Sequence, residues 1–147
     1  MRKAAALAVV TLLALPALSV TLALAEPERV TVQHILIAFK GSLPGDQKVT
    51  RSKEEAEKLA LQVFERAKAG EDFAAMVKMY TNDSYPGIYK MTNAGIAPDK
   101  SKQEYSRTGM VKAFGDVGFS LEVGGFGLAV YDPATSKYGW HIIKRLE

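Results

Sequence analysis

Tyr-Gly-Trp-His-Ile-Ile, residues 138–143, is the stretch that most constrains how this chain folds. Aromatic, β-branched or histidine side chains fill every position except Gly139, as is typical of a buried β-strand, and a glycine there allows close backbone approach. The only other histidine, His34, lies in a similar run, Val-Thr-Val-Gln-His-Ile-Leu-Ile at residues 30–37. Each imidazole must therefore either be hydrogen-bonded as part of the core or have a functional role.

The composition is that of one globular domain. The chain has 147 residues, of which 48% are hydrophobic and 24% charged, enough to build a single core. It contains no cysteine. Disulfides, thiolate metal sites, a cysteine nucleophile and a lipidated cysteine anchor are thereby excluded.

Residues 1–25 have the pattern of a secretory signal peptide. Arg2 and Lys3 precede a long apolar run, and Ala-Leu-Ala at residues 23–25 predicts cleavage after Ala25. The run approaches the ~20 residues that span a bilayer, so an uncleaved membrane anchor is the alternative. In either case we expect an extracytoplasmic protein, in the periplasm, cell envelope or medium, with residues 26–147 forming one domain.

The charge of the mature region is nearly balanced. Without Arg2 and Lys3 the net charge falls from +3 to +1. No basic stripe with interleaved aromatic residues remains, so we expect no nucleic-acid partner.

Hydrophobic periodicity predicts an α+β domain. Ser52 and Glu55 form a capping box at the start of the first helix, and Gly70 closes that helix. In chain order the predicted elements are a strand at 30–39, helices at 53–70 and 71–80, a short strand at 88–92, a polar loop at 93–108, a short helix from 110 that ends at Gly115, and strands at 126–131 and 138–146 that form a hairpin. This order predicts helices around a small antiparallel sheet.

The usual catalytic motifs are missing from the sequence. It has no Gly-x-Ser-x-Gly elbow, His-Glu-x-x-His pair, glycine-rich phosphate loop or EF-hand loop. Asp83 could complete a two-histidine, one-carboxylate metal set with His34 and His141, but the sequence shows no short ligand spacing. We therefore predict no metal and no other cofactor.

Several short stretches in a fixed order resemble the parvulin family of peptidyl-prolyl cis–trans isomerases. The resemblance covers about residues 30–146. The stretches that carry it are Val-Gln-His-Ile-Leu-Ile at 32–37, Glu-Asp-Phe-Ala at 71–74, Tyr-Thr-Asn-Asp at 80–83, Met-Val-Lys-Ala-Phe at 110–114, Phe-Ser-Leu-x-x-Gly at 119–124 and Gly-Trp-His-Ile-Ile at 139–143.

The resemblance implies a fold and an activity. The fold is a four-stranded antiparallel sheet surrounded by three to four helices, with His34 and His141 meeting near the middle of the sheet beneath the active site. The activity is isomerisation of X-Pro bonds in unfolded or folding polypeptides, without a cofactor and by a monomer that contacts a membrane only if residues 1–25 are retained.

The same resemblance implies roles for individual residues. Met110 and Phe114 would form an apolar pocket for the proline ring, at i and i+4 on a helix, with Tyr138 at its rim. Asp83 would face the substrate and tune the electrostatics of the twisting amide. His34 and His141 would be a neutral hydrogen-bonded pair in which each ring donates through one nitrogen and accepts through the other.

Other interpretations of these residues stay open. Met110 and Phe114 could be ordinary core, and Asp83 could be a turn former. A histidine pair linking two strands is compatible with an inactive domain. The alternative function is a non-catalytic chaperone that holds extended segments in the same groove.

The sequence departs from the family pattern in two places. The Gly-Gly-Asp-Leu-Gly-like turn is replaced by residues 85–91 and a long polar segment, so the pocket leucine cannot be assigned; Tyr89 and Met91 are the candidates. The last hairpin is extended by residues 133–137. No cluster of arginine and lysine follows the first strand, which argues against selection of phosphorylated substrates.

Overall fold

In a computed structural model that describes residues 25–147, a five-stranded sheet carries α-helices on both faces. The strands are β1 (Arg29–Ile37), β2 (Ile88–Thr92), β3 (Glu104–Ser106), β4 (Phe126–Ala129) and β5 (Trp140–Arg145). The helices are α1 (Lys53–Lys68), α2 (Phe73–Tyr80) and α3 (Lys112–Ser120), with single 3₁₀ turns at Lys100–Lys102 and Arg107–Gly109. The order across the sheet is β3-β2-β1-β5-β4, and β2 and β3 alone run parallel.

The predicted signal peptide lies outside the described residues, apart from Ala25. Within residues 25–147, no helix has the length and apolar character needed to cross a bilayer.

The central strands separate two hydrophobic layers because successive side chains point to opposite faces of a sheet. Ile35 and Ile37 of β1 pack on the side of α1 and α2. Val30 and Val32 pack on the side of α3. The same alternation carries His34 to the α3 side, and the site develops there.

Both helices on the opposite face begin at side-chain caps. Glu55 N–H donates to Ser52 Oγ and Ser52 N–H donates to the Glu55 carboxylate, so the predicted capping box is confirmed. Asp72 accepts from the N–H of Ala75 and caps α2. These bonds satisfy backbone donors that a helix start leaves free.

The prediction for α3 was wrong at both ends. The helix begins at Lys112 and continues through Gly115 to Ser120, so Met110 precedes it and does not lie at i and i+4 with Phe114 on one helix. The two glycines within α3 allow close packing against neighbouring side chains and do not end the helix. A Cβ on Gly115 would lie 2.9 Å from Arg107 Cγ, and one on Gly118 would lie 3.0 Å from Met91 Cε.

The segment predicted as a polar loop at 93–108 contains β3, the 3₁₀ turn at Lys100–Lys102 and the start of the turn at Arg107–Gly109. It adds a fifth strand to the four antiparallel strands that were expected, beside β2. The α+β class and the closing hairpin of β4 and β5 are confirmed.

Candidate active site

Sheet register brings the two histidines together. His34 pairs with Ile143 across β1 and β5, and Leu36 pairs with His141, so the histidines are diagonal neighbours on one face. Their Nδ1 atoms are 3.2 Å apart. Both side chains are buried, with 3% and 4% of their surface exposed. The structure thus places the predicted pair in direct contact on the α3 face of the sheet.

Asp83 extends the pair into a longer hydrogen-bonded chain. Its Oδ2 lies 2.9 Å from His34 Nε2 and 2.6 Å from the hydroxyl of Tyr89. The Asp83 side chain is 31% exposed, whereas the histidines lie beneath it. A carboxylate at the surface therefore caps a buried imidazole pair.

The direction of each hydrogen bond follows from the charge of Asp83. Hydrogen bonds from His34 and Tyr89 hold the pKa of Asp83 well below its usual range, so its carboxylate is the acceptor. His34 Nε2 then carries a proton, and in a neutral pair its Nδ1 accepts from His141 Nδ1–H.

His141 Nε2 differs from the expectation. This buried atom has no hydrogen-bond partner within residues 25–147. In this arrangement His34 donates from Nε2 and accepts at Nδ1, whereas His141 only donates.

The turn that carries Asp83 is fastened to the end of β1. Asn82 N–H donates to Leu36 O at 2.8 Å. Asn82 Oδ1 accepts from Ala38 N–H at 3.0 Å and from Arg51 Nη1 at 2.7 Å. Since the turn cannot shift without breaking these bonds, the position of Asp83 relative to His34 is set by backbone pairing.

Acid should destabilise the fold through His141. Burial lowers the pKa of this imidazole to about 3, whereas an unfolded chain protonates near pH ~6.5. Its stabilising contribution is therefore intact above pH ~6.5 and is lost as pH falls toward 3, by at most ~1.4 kcal/mol per pH unit. Asp83 adds a loss only below pH ~3.9.

Urea unfolding of the wild type and of His141→Asn between pH 7 and 4 measures this effect. Asparagine keeps a donor near the Nδ1 position but does not titrate. We expect a shallower dependence of the unfolding free energy on pH in the variant. Equal slopes for the two proteins would contradict the assignment.

A cavity of about 230 Å³ opens above the chain of hydrogen bonds. It is smaller than the ~300–1,000 Å³ typical of small-molecule sites, so its size suits a single ring or side chain. The residues given individual roles in the sequence analysis all line it: His34, Asp83, Met110, Phe114, Tyr138 and His141. The structure thus gathers residues from four separate parts of the chain around one cavity.

Further lining residues had not been singled out from the sequence as cavity residues. They are Leu36, Leu43, Asn82 and Val111. Leu43 comes from the loop after β1, which is held to the last hairpin because Ser42 Oγ–H donates to Tyr138 O at 2.8 Å. A long-range contact of this kind has no signal in the sequence of either segment.

Tyr89 and Met91, the two candidates for the pocket position, have different surroundings in the structure. Both side chains project to the α3 side, but Met91 is fully buried in the core beneath α3. Tyr89 lines the cavity, with its ring centroid 5.7 Å from that of Phe114. Of the two candidates, Tyr89 is therefore the one that lines the cavity.

The extended hairpin supports the helix that carries Phe114. Val111, the N-cap of α3, provides no side-chain cap, but Ala113 N–H donates to Thr135 O at 2.9 Å. Asp132 Oδ1 in turn accepts from the N–H groups of Ala134 and Thr135. The added loop thus satisfies a free donor of α3 and fixes one wall of the cavity.

The arrangement is a series of pairwise bonds and not a metal site. Asp83 contacts Nε2 of His34, and His141 contacts Nδ1 of the same ring. The three side chains therefore do not converge on one point. Within residues 25–147 no three histidine, cysteine or carboxylate side chains are grouped to hold a metal ion.

One protein family matches most of the chain. A family described as "PPIC-type PPIASE domain" matches residues 18–147. Foldase protein PrsA 4 of Bacillus cereus is 37% identical over 88 residues, which are 60% of this chain and 27% of that protein. Chaperone SurA of Chromohalobacter salexigens is 33% identical over 114 residues, 77% of this chain and 21% of that protein. The chain thus spans about a quarter of the length of these relatives.

Two solved structures share the fold. The solution structure of TbPIN1 has a TM-score of 0.57 at 22% identity and covers 82% of this chain and 98% of that one. Peptidyl-prolyl isomerase ESS1 from Candida albicans has a TM-score of 0.58 at 19% identity, covering 82% and 63%.

Proposed function

The chain belongs to the PPIC-type peptidyl-prolyl isomerase family, the parvulins, and from that premise we propose that it catalyses rotation about X-Pro bonds in unfolded or folding exported polypeptides. The observation that carries the proposal is the small, mainly apolar cavity in which Met110, Phe114 and Tyr138 lie beside the ionised Asp83. Export is inferred from the signal-like pattern of residues 1–25.

The reaction needs no covalent step. Amide resonance sets a barrier of ~18–20 kcal/mol to rotation, and the enzyme has only to favour the twisted amide over both planar forms. The planar amide is more polar than the twisted one because its oxygen draws electron density from nitrogen. An apolar pocket that removes water therefore disfavours the planar form relative to the twisted one.

Each side of the cavity has a part in this mechanism. Met110 and Phe114 grip the proline ring, and Tyr138 closes the rim. Asp83, as an anion near the substrate carbonyl, raises the energy of the planar form, whose oxygen bears more negative charge. Within the chain of hydrogen bonds the donors of Tyr89 and His34 are already bound to Asp83, so they do not stabilise the planar carbonyl.

The two histidines form the base of the cavity and support it. His34 and His141 are buried, bonded to each other and tied to both central strands. Their role is to hold Asp83 and the pocket in place, and not to transfer a proton.

A refolding experiment tests the proposal. The protein without residues 1–25 should accelerate, at substoichiometric concentration, a refolding phase limited by proline isomerisation, which takes 10–100 s uncatalysed. Met110→Ala should reduce the acceleration several-fold because it removes one side of the proline pocket. Met79→Ala is the matched control, since Met79 lies on α2, on the opposite face of the sheet, and is 70% exposed.

The second candidate is a chaperone that holds unfolded chains without isomerising them. The names of the relatives, a foldase and a chaperone, are the observation that favours this candidate. Suppression of aggregation at stoichiometric protein, with no change in the proline-limited phase, would support this candidate and refute the isomerase.

A further inference from the structure

Tyr89 both lines the cavity and takes part in the series of hydrogen bonds that joins Asp83, His34 and His141. It lies on β2 opposite Val32 of β1, and its side chain reaches the α3 side of the sheet. Its ring packs edge-on against His34 and Phe114, at centroid distances of 5.3 and 5.7 Å. These contacts hold the ring in one position, so the hydroxyl is directed by packing.

The hydroxyl is a donor to the carboxylate. It lies 2.6 Å from Asp83 Oδ2, the oxygen that also accepts from His34 Nε2. Burial, followed by the hydrogen bond to Asp83, raises the pKa of Tyr89 above its usual value, so the phenol keeps its proton. Two donors from two different strands therefore converge on one oxygen.

Two converging donors restrict rotation of the Asp83 carboxylate more than a single donor does. With His34 alone, the Asp83 carboxylate could turn about its terminal torsion, which has a broad energy minimum. A second donor from β2 removes that freedom and favours the ionised form. Asp83 is partly exposed, so without this restraint its orientation toward the cavity would be set by solvent.

We propose that Tyr89 is a positioning residue of the isomerase site, whose hydroxyl holds the Asp83 carboxylate in the orientation that faces the twisting amide. The inference rests on the proposed function and adds a residue to it. The titratable groups that face Asp83 are His34 from β1, Tyr89 from β2 and, beyond His34, His141 from β5. The guanidinium of Arg51 is bound to the neighbouring Asn82.

Tyr89→Phe tests the proposal because it keeps the ring and removes only the hydroxyl. We expect kcat for a short X-Pro peptide to fall about ten-fold with KM nearly unchanged, since the apolar wall of the cavity is retained. The pKa of Asp83, followed by NMR of its carboxyl carbon, should rise toward the usual value. The acid limb of the dependence of kcat on pH should shift to higher pH with it.

Tyr105→Phe is the matched control. The Tyr105 ring lies 5.8 Å from that of Tyr89, but this residue is half-exposed and does not line the cavity. Neither kcat nor the Asp83 titration should change in this variant. An active wild type whose kcat and Asp83 titration are the same in Tyr89→Phe would overturn the inference and leave the proposed function standing. An inactive wild type would instead refute the proposed function and, with it, a role of Tyr89 in catalysis.

Discussion

Replacing Gly139 with alanine is expected to lower the free energy of unfolding by about 3 kcal/mol or more. The backbone at Gly139 has φ +141°, a conformation that residues with a side chain rarely adopt. A Cβ there would lie 2.1 Å from Ile37 O, a backbone atom at the end of β1. Because the strand cannot move away without breaking its pairing with β5, the substitution should separate the two strands that carry the histidines.

Urea unfolding measures this effect, with Gly124→Ala as the control. Gly124 also has a positive φ, +83°, but a Cβ there would meet no atom within 4 Å. Its substitution should cost only the ~1–2 kcal/mol of the backbone conformation itself. Equal costs at the two positions would mean that close approach of β5 to β1 is not what Gly139 provides.

Replacing His34 with alanine is expected to damage folding and turnover together. The change removes the partner of both Asp83 and His141 and leaves a void under the cavity. Each buried polar group left without a partner costs ~1–3 kcal/mol, so we expect a loss of about 3 kcal/mol in the free energy of unfolding. Isomerase activity should fall more than ten-fold because Asp83 and the pocket floor lose their support.

His34→Gln separates the contributions, since its amide nitrogen can reach the place of Nε2 and donate to Asp83. This variant should recover part of the stability and part of the activity. Chemical denaturation and a peptide isomerisation assay on the same preparations give both values. A His34→Ala protein that is inactive but as stable as the wild type would show that the histidine is a reagent and not a structural support.

The parts of the fold that depend on local sequence were predictable. The capping box of Ser52 and Glu55 and the two hydrophobic runs around His34 and His141 each have a signal within a few residues. Contact between the histidines followed only from the family resemblance, because hydrophobic periodicity does not specify which strands pair.

The parts that depend on tertiary contacts were not predictable. β3 has three residues of mixed polarity and pairs in parallel with β2, so no alternation marks it. The sequence predicts a helix end at Gly115, whereas the lack of a side chain there makes room for Arg107. The hydroxyl of Tyr89 reaches Asp83 because β2 places it there, and the sequence left Tyr89 and Met91 equivalent.

The central claim is that this small cavity lowers the barrier to X-Pro rotation, and NMR exchange spectroscopy of a short Ala-Pro peptide tests it most directly. A short peptide presents the X-Pro bond without a folding reaction, so binding of unfolded chains cannot mimic catalysis. With substoichiometric protein, we predict that cis–trans exchange becomes much faster than the uncatalysed 10–100 s, that Met110→Ala slows it and that Met79→Ala does not. Exchange at the uncatalysed rate, in the presence of protein that binds the peptide, would contradict the account.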